Sequence, residues 1–191
     1  MPRIVDHAQR RATVSAVATD LIAERGLDAV TFREIADRSG FSTAIVSHYF
    51  ADKRDVLSLA YRDSIRRARG RFQAALARHP GDTAAILESL LPLDADRRRD
   101  WRVWFAFWAQ AAADAELAAE QRRRLLLTRA DIAGMLPPNE RGRHPIDAEA
   151  AARHILTAVM GMAAQAVFDE HDWTATRQRE AIRELLHLLG Y

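Results

Sequence analysis

Apolar residues recur at three- and four-residue steps along nearly the whole chain, and no stretch keeps the period of two that a half-buried strand requires. Over residues 8–25, Val14, Val17, Ala18, Leu21 and Ile22 fall on one stripe, which predicts an amphipathic helix ended by Gly26. A shorter stripe of Phe32, Ile35 and Ala36 follows Thr31, whose hydroxyl suits a helix N-cap. Gly40 supplies a tight turn, and Ser42 caps a second short helix with Ile45, Val46, Tyr49 and Phe50 inward. A long helix then runs from Asp52, Lys53 and Arg54 to about Arg78, with Val56, Leu57, Ala60, Tyr61, Ser64 and Ile65 facing in. His79, Pro80 and Gly81 stop it. Asp82 caps a helix through Leu91, which Pro92 ends, and two further helices break near Asp114. A polar loop over 137–147 precedes an Ala-rich helix capped by Asp147 and reaching about Glu170. Thr174 caps the last helix, with Ile182, Leu185, Leu186 and Leu189 on one face. The pattern predicts an all-α protein of nine helices with no strand and no internal repeat.

Thr31 to Lys53 reads as a helix-turn-helix, around which the rest of the chain is organised. The outer face of its second helix, Thr43, Ala44, Ser47 and His48, is short and polar. A helix that enters the major groove needs such a face: hydroxyls and imidazoles reach base edges, and small residues let the backbone come close. The stretch TFREIADRSGFSTAIVSHYFADK, above all SHYFADK followed by Asp55, Val56 and Leu57, resembles the N-terminal domain of TetR-family transcriptional repressors. STAIVSHYF is most similar to the recognition helix of the choline-responsive BetI branch, although Ala44 stands where that branch usually carries Gly.

The resemblance implies a three-helix DNA-binding domain over residues 1–52 and a helical ligand-binding and dimerisation domain over residues 53–191. It implies DNA contact by Thr31, Arg33, Ser42, Thr43, Ala44, Ser47, His48, Tyr49 and Lys53. Within that set it assigns Tyr49, His48 and Lys53 to phosphate, and Thr43 and Ala44 to base edges. It also favours a two-fold dimer, since helix-turn-helix dimers match half-sites one helical turn, ~34 Å, apart. The last two helices carry more apolar surface than one face each would bury. Ala158, Gly161, Met162 and Gln165 on one, with Leu185, Leu188 and Leu189 on the other, are the expected interface; the competing reading is a helix fully buried within one subunit.

Trp101, Trp104, Phe105 and Trp108 fall at i, i+3, i+4 and i+7 and share one helix face, which gathers three of the chain's four tryptophans into eight residues. One reading is plain packing. The other is a pocket whose ring faces attract a quaternary ammonium group, at about 0.5 to 2 kcal/mol per contact. LLPLDADRRRDWRVWFAFWAQA resembles the ligand-domain segment of the same BetI branch, so a choline-like effector is the leading expectation and an uncharged hydrophobic one the alternative. The long helix from Lys53 is the expected lever between the two domains.

Composition narrows the remaining classes. With no cysteine the chain has no disulfide, thiolate zinc site or cysteine nucleophile, and no cofactor or metal is expected. A formal charge of +2, and eight cationic against eight acidic residues over 1–55, mean that DNA binding must rest on local placement. Arg3, Arg10 and Arg11 in the N-terminal arm, and Lys53, the one lysine present, supply it. No apolar run of membrane-spanning length is evident and MPRIVDHAQRR is polar, so the expected location is the cytoplasm. Asp169, Glu170, His171 and Asp172 read as a solvated helix end rather than a metal site. Arg97 to Arg99 and Arg122 to Arg124 read as solvated faces, and His144, His154 and His187 have no partner legible in sequence. Neither a phosphate-binding Gly-rich loop nor GxSxG is present, which leaves an enzyme or a protein-interaction module as weaker alternatives.

Overall fold

The computed structural model describes residues 3–138 and 146–191, without the side chains of residues 3–6 and 8; the side chain of Arg3, His144 and most of the polar loop therefore lie outside the described residues. Among the described residues there are nine α-helices and no strand: α1 (Arg3–Arg25), α2 (Phe32–Ser39), α3 (Thr43–Tyr49), α4 (Lys53–Arg78), α5 (Thr83–Glu88), α6 (Ala95–Ala111), α7 (Ala115–Met135), α8 (Ala148–Phe168) and α9 (Ala175–Leu189). Side-chain oxygens hold most of the starts. Asp82 accepts from the Ala85 amide at 2.9 Å, Asp114 from Glu116 at 2.9 Å and Leu117 at 3.1 Å, Asp147 from Ala150 at 2.7 Å and Thr174 from Arg177 at 3.3 Å, each satisfying an amide that the helix itself cannot.

The expected helix from Asp82 to Leu91 ends earlier, at Glu88. Amides of Ser89, Leu90 and Leu91 bond three residues back, at 3.1, 3.0 and 3.2 Å, as a tightened final turn. The reason is Pro92, which offers no amide and disfavours helical backbone at the residue before it.

The chain divides into two compact units. The first runs up to Arg67 and takes in Arg99–Ala113; the second is Ala68–Arg98 with Asp114–Tyr191. In the first, α1 packs on α2 and α2 on α3. Val14, Ala18, Leu21, Ile22, Ile35, Val46, Leu57, Ala60 and Tyr61 make its buried core, on the stripes that the periodicity predicts. In the second, α8 packs on α7 and α9, and α5 on α9. There Glu88 on α5 accepts from Arg179 at 3.0 Å and Arg183 at 3.2 Å on α9.

One expectation is corrected by α8. Its 21 residues, with an 18-residue window of mean hydropathy 1.2, are long and apolar enough by composition to cross a membrane. The cause is one broad buried face, Ala151, Ala152, Ile155, Leu156, Val159, Met162, Ala163 and Ala166, with further small or apolar residues such as Gly161 and Phe168 exposed beyond it. The Arg97 to Arg99 run is a second correction, since all three are half-buried and engaged. Arg97 donates to the Glu88 carbonyl at 2.8 Å, Arg98 lies 3.6 Å from Glu170, and Arg99 lies 3.0 Å from Asp20. Burial pushes the Arg97 guanidinium below its ordinary value, opposed by Asp94 and assisted by Arg71 and Arg179.

Candidate nucleic-acid interface and effector face

Short-range hydrogen bonds build the helix-turn-helix. Thr31 Oγ1 accepts from the Glu34 amide at 3.1 Å while Glu34 Oε2 accepts from the Thr31 amide at 3.1 Å, a reciprocal cap that starts α2. Gly40 adopts φ 73°, and the Phe41 amide returns to the Ala36 carbonyl at 3.1 Å, so the chain leaves α2 through a left-handed residue that a side chain would strain. Ser42 Oγ then accepts from the Ile45 amide at 3.3 Å and starts α3 two residues later. Val46 and Phe50 are buried and hold the inner face of α3. Thr43, Ala44, Ser47 and His48 are all exposed on its outer face, with Ser42, Thr31, Arg33 and Lys53 exposed around it; Tyr49 is half-buried.

Charge contacts fix α2 to α1. Arg38 holds Glu24 by two bonds, 2.8 and 3.0 Å, and Arg25 reaches Glu34 at 2.8 Å. The hydrogen bond from Arg38, and then its charge, keep the Glu24 carboxylate below its ordinary value, while Glu24 raises Arg38. Lys53 Nζ donates to the Asp28 carbonyl at 2.9 Å, which draws its ammonium to the α1–α2 turn. Asp52 and Asp55 cap α4 beside it, through bonds of 2.9 Å to the Asp55 amide and 3.0 Å to the Ala51 amide. His7 of α1 stands with Nδ1 2.9 Å from the Tyr49 hydroxyl, a pairing across 42 positions that no local pattern announces.

The aromatic face belongs to α6, and the first unit encloses part of it. Trp101 and Trp104 are buried, whereas Phe105 and Trp108 are half-buried. Trp101 meets Trp104 at 4.6 Å and 62°, and Trp108 at 5.9 Å and 89°; Phe105 meets Trp108 at 5.4 Å and 73°. These are edge-to-face pairs, the arrangement that ring quadrupoles favour. Trp104 Nε1 donates to Ser64 Oγ at 2.7 Å and Ser64 donates on to the Tyr61 carbonyl at 2.7 Å, while Phe107 stacks on Tyr61 at 3.7 Å. Arg67 binds the buried Asp100 at 2.5 Å. The stripe is thus divided: Trp104 is bolted to α4 as core, and Phe105 and Trp108 keep partly open rings. A surface hollow of about 480 Å³ lies elsewhere, lined by Leu136, Pro137, Pro138, Ile146, Asp147, Ala148 and Tyr191, and takes in none of these rings.

On α8, Ala158, Gly161 and Gln165 recur at three- and four-residue steps; Gly161 and Gln165 are exposed, Ala158 half-buried and Met162 buried. On α9, Leu188 is 82% exposed and Leu185 and Leu189 are half-buried; Phe168, at the end of α8, is 84% exposed. At the α8–α9 junction, Asp169 accepts from the His171 amide at 3.2 Å and the Asp172 amide at 2.9 Å, and Asp172 pairs with Arg177, so these carboxylates serve the turn.

Family comparisons cover both ends of the chain. Residues 15–60 match the model of bacterial regulatory proteins of the TetR family, and residues 80–190 match the C-terminal domain of BetI-type transcriptional repressors. The regulator BetI of Burkholderia thailandensis is 32% identical over 72% of this chain and 75% of its own length. The regulator PksA of Bacillus subtilis is 24% identical over 88% of this chain and 84% of its own. Among solved structures, a transcriptional regulator from Rhodococcus sp. superposes with a TM-score of 0.81 at 27% identity, covering 93% of this chain and 94% of that one. A regulator from Saccharomonospora viridis, solved in complex with choline, superposes with a TM-score of 0.78 at 22% identity over 94% and 96%. The protein is a transcriptional regulator and not an enzyme: it belongs to the TetR family, with a C-terminal domain of the BetI type.

Proposed function

We propose that this chain represses transcription in the cytoplasm as a two-fold dimer on a palindromic operator, and that a choline-like quaternary ammonium compound releases it. Residues 1–52 form the DNA-binding domain, and residues 53–191 carry effector binding and dimerisation. Thr43 and Ala44 meet base edges, with Ser47 beside them, while His48, Tyr49 and Lys53 meet phosphates and Thr31, Arg33 and Ser42 border the groove. Pairing runs through Ala158, Gly161, Met162, Gln165, Leu185, Leu188 and Leu189, supported by the apolar side chains left open on α8 and α9. Two half-sites about one helical turn, ~34 Å, apart then receive two copies of α3.

The effector part of this reading rests on one observation, the Trp101, Trp104, Phe105 and Trp108 face with its half-buried rings. A quaternary ammonium cannot donate a hydrogen bond and is weakly hydrated, so ring faces are its natural partners. To lower DNA affinity it must bind the conformer with displaced recognition helices better than the DNA-bound one. A coupling of about 1 to 3 kcal/mol gives a 5- to 150-fold loss. Titrating choline against tryptophan fluorescence and against a mobility shift on the chain's own upstream DNA tests it. A saturable change at millimolar choline with loss of the shifted band is expected. Response to a neutral aromatic compound alone would replace choline with an uncharged hydrophobic effector in the same place.

A further inference from the structure

His7 sits at the outer end of α1, yet its Nδ1 lies 2.9 Å from the Tyr49 hydroxyl on the last turn of α3, with the two rings edge-to-face at 6.2 Å and 76°. His48 also meets the Tyr49 ring edge-to-face, at 5.6 Å and 63°. Tyr49 therefore touches two imidazoles, one from another helix and one from its own. A tyrosine hydroxyl has a single hydrogen to donate and otherwise accepts, while a phosphate oxygen between esters only accepts. If the hydrogen goes to His7 Nδ1, the hydroxyl turns lone pairs toward the DNA backbone, which repels it. If His7 donates from Nδ1 instead, the hydroxyl accepts from the ring and its hydrogen is released toward the phosphate. The hydrogen on one ring nitrogen thus decides whether Tyr49 can grip DNA.

We propose that His7 is a positioning residue for DNA binding: it donates from Nδ1 to the Tyr49 oxygen and so aims the Tyr49 hydrogen at an operator phosphate. The inference rests on the reading of α3 as the DNA-contacting helix and adds to it a residue from α1. Because the contact is with phosphate, it strengthens binding to every sequence alike and carries no base preference. An asparagine amide can place a donor close to where Nδ1 stands, whereas leucine fills similar space with none.

The test is a double-mutant cycle read by fluorescence anisotropy on a duplex selected from a randomised pool by the wild-type protein. His7→Leu is expected to weaken binding about 5-fold per half-site, the effect of one hydrogen bond, and so about 25-fold on a two-half-site operator. His7→Asn is expected to recover most of that loss. In the Tyr49→Phe background, His7→Leu should change affinity less than twofold, because no hydroxyl remains to aim. His7 is exposed, so melting temperatures should stay level across the set. Equal losses from His7→Leu in both backgrounds, or no recovery with asparagine, would overturn the proposal, as would an unaltered affinity. Failure of the wild type to select any duplex would instead overturn the DNA-binding reading beneath it.

Discussion

Removing the Ser64 hydroxyl should loosen the aromatic helix from α4 by an amount that can be worked out in advance. Ser64 is fully buried and Trp104 is 8% exposed, so neither the indole N–H nor the hydroxyl can turn to water. Ser64→Ala strands the Trp104 donor, which now reaches Oγ at 2.7 Å, at a cost of about 1–3 kcal/mol. In a chain of this length each kcal/mol lowers the melting temperature by about 2–4 °C, so a fall of about 2–12 °C is expected. Trp104→Phe deletes the donor itself, and Ser64 keeps its bond to the Tyr61 carbonyl. In that background Ser64→Ala strands nothing and should cost less than about 1 kcal/mol. Urea denaturation of the four proteins therefore should give a coupling energy of about 1–2 kcal/mol. Equal costs of Ser64→Ala in both backgrounds would show that the hydrogen bond contributes nothing to holding α6, and the account of Trp104 as a bolted core residue would fall.

Three further outcomes are expected. Lys53→Ala should weaken all DNA sequences alike and flatten the salt dependence by about one unit, since phosphate contacts carry no sequence information; an altered base preference in a selection experiment would assign Lys53 another role. Glu24 sits below its ordinary value of 4.5 because Arg38 hydrogen bonds it, so its contribution is present above that value and is lost as pH falls through the lowered one. Melting temperature followed from pH 6 to pH 3 should accordingly decline less steeply in Glu24→Gln, and identical acid limbs would refute the link. A Cβ added at Gly161 meets nothing within 4 Å inside the subunit, so Gly161→Leu should leave the fold intact, with about 1 kcal/mol gained in helix propensity. It should nonetheless separate the dimer in sedimentation if a partner helix approaches there, and an unchanged dimer would move the interface elsewhere.

The helix-turn-helix was legible because everything that builds it is local. Thr31, Gly40 and Ser42 act within five residues of themselves, through a capping box, a left-handed turn and a second cap, and residue type alone announces each. The start of α4 is equally local, in Asp52 and Asp55. Illegible were the features whose partners lie far along the chain. Arg99 reads as one of three adjacent solvated charges until Asp20, 79 positions away, is placed against it. Ser64 reads only as one position on the inward face of α4, and the indole of Trp104 is what gives its hydroxyl a partner there. His7 falls outside any motif. A periodicity argument locates faces but not what is set against them, so it could show that Trp101, Trp104, Phe105 and Trp108 share a side without separating the two buried rings from the two half-buried ones.

That separation bears on how an effector could be felt at the DNA. The part of α6 that bears the aromatic rings, from Arg99 on, belongs to the same compact unit as α1, α2 and α3. Within it α6 is tied to α1 by Arg99 and Asp20 and to α4 by Asp100 and Arg67, by Trp104 and Ser64, and by the stacked Phe107 and Tyr61. A ligand engaging Phe105 and Trp108 would press on a helix that these contacts already tie to α1 and α4, in part through Trp104 on the same face. The coupling that a repressor needs, about 1 to 3 kcal/mol, is of the size of one or two such contacts rearranged. Close-packed side chains shift between discrete arrangements rather than deform smoothly. A modest rotation of α6 would therefore be passed on as a changed placement of α1, on which α2 and then α3 are packed.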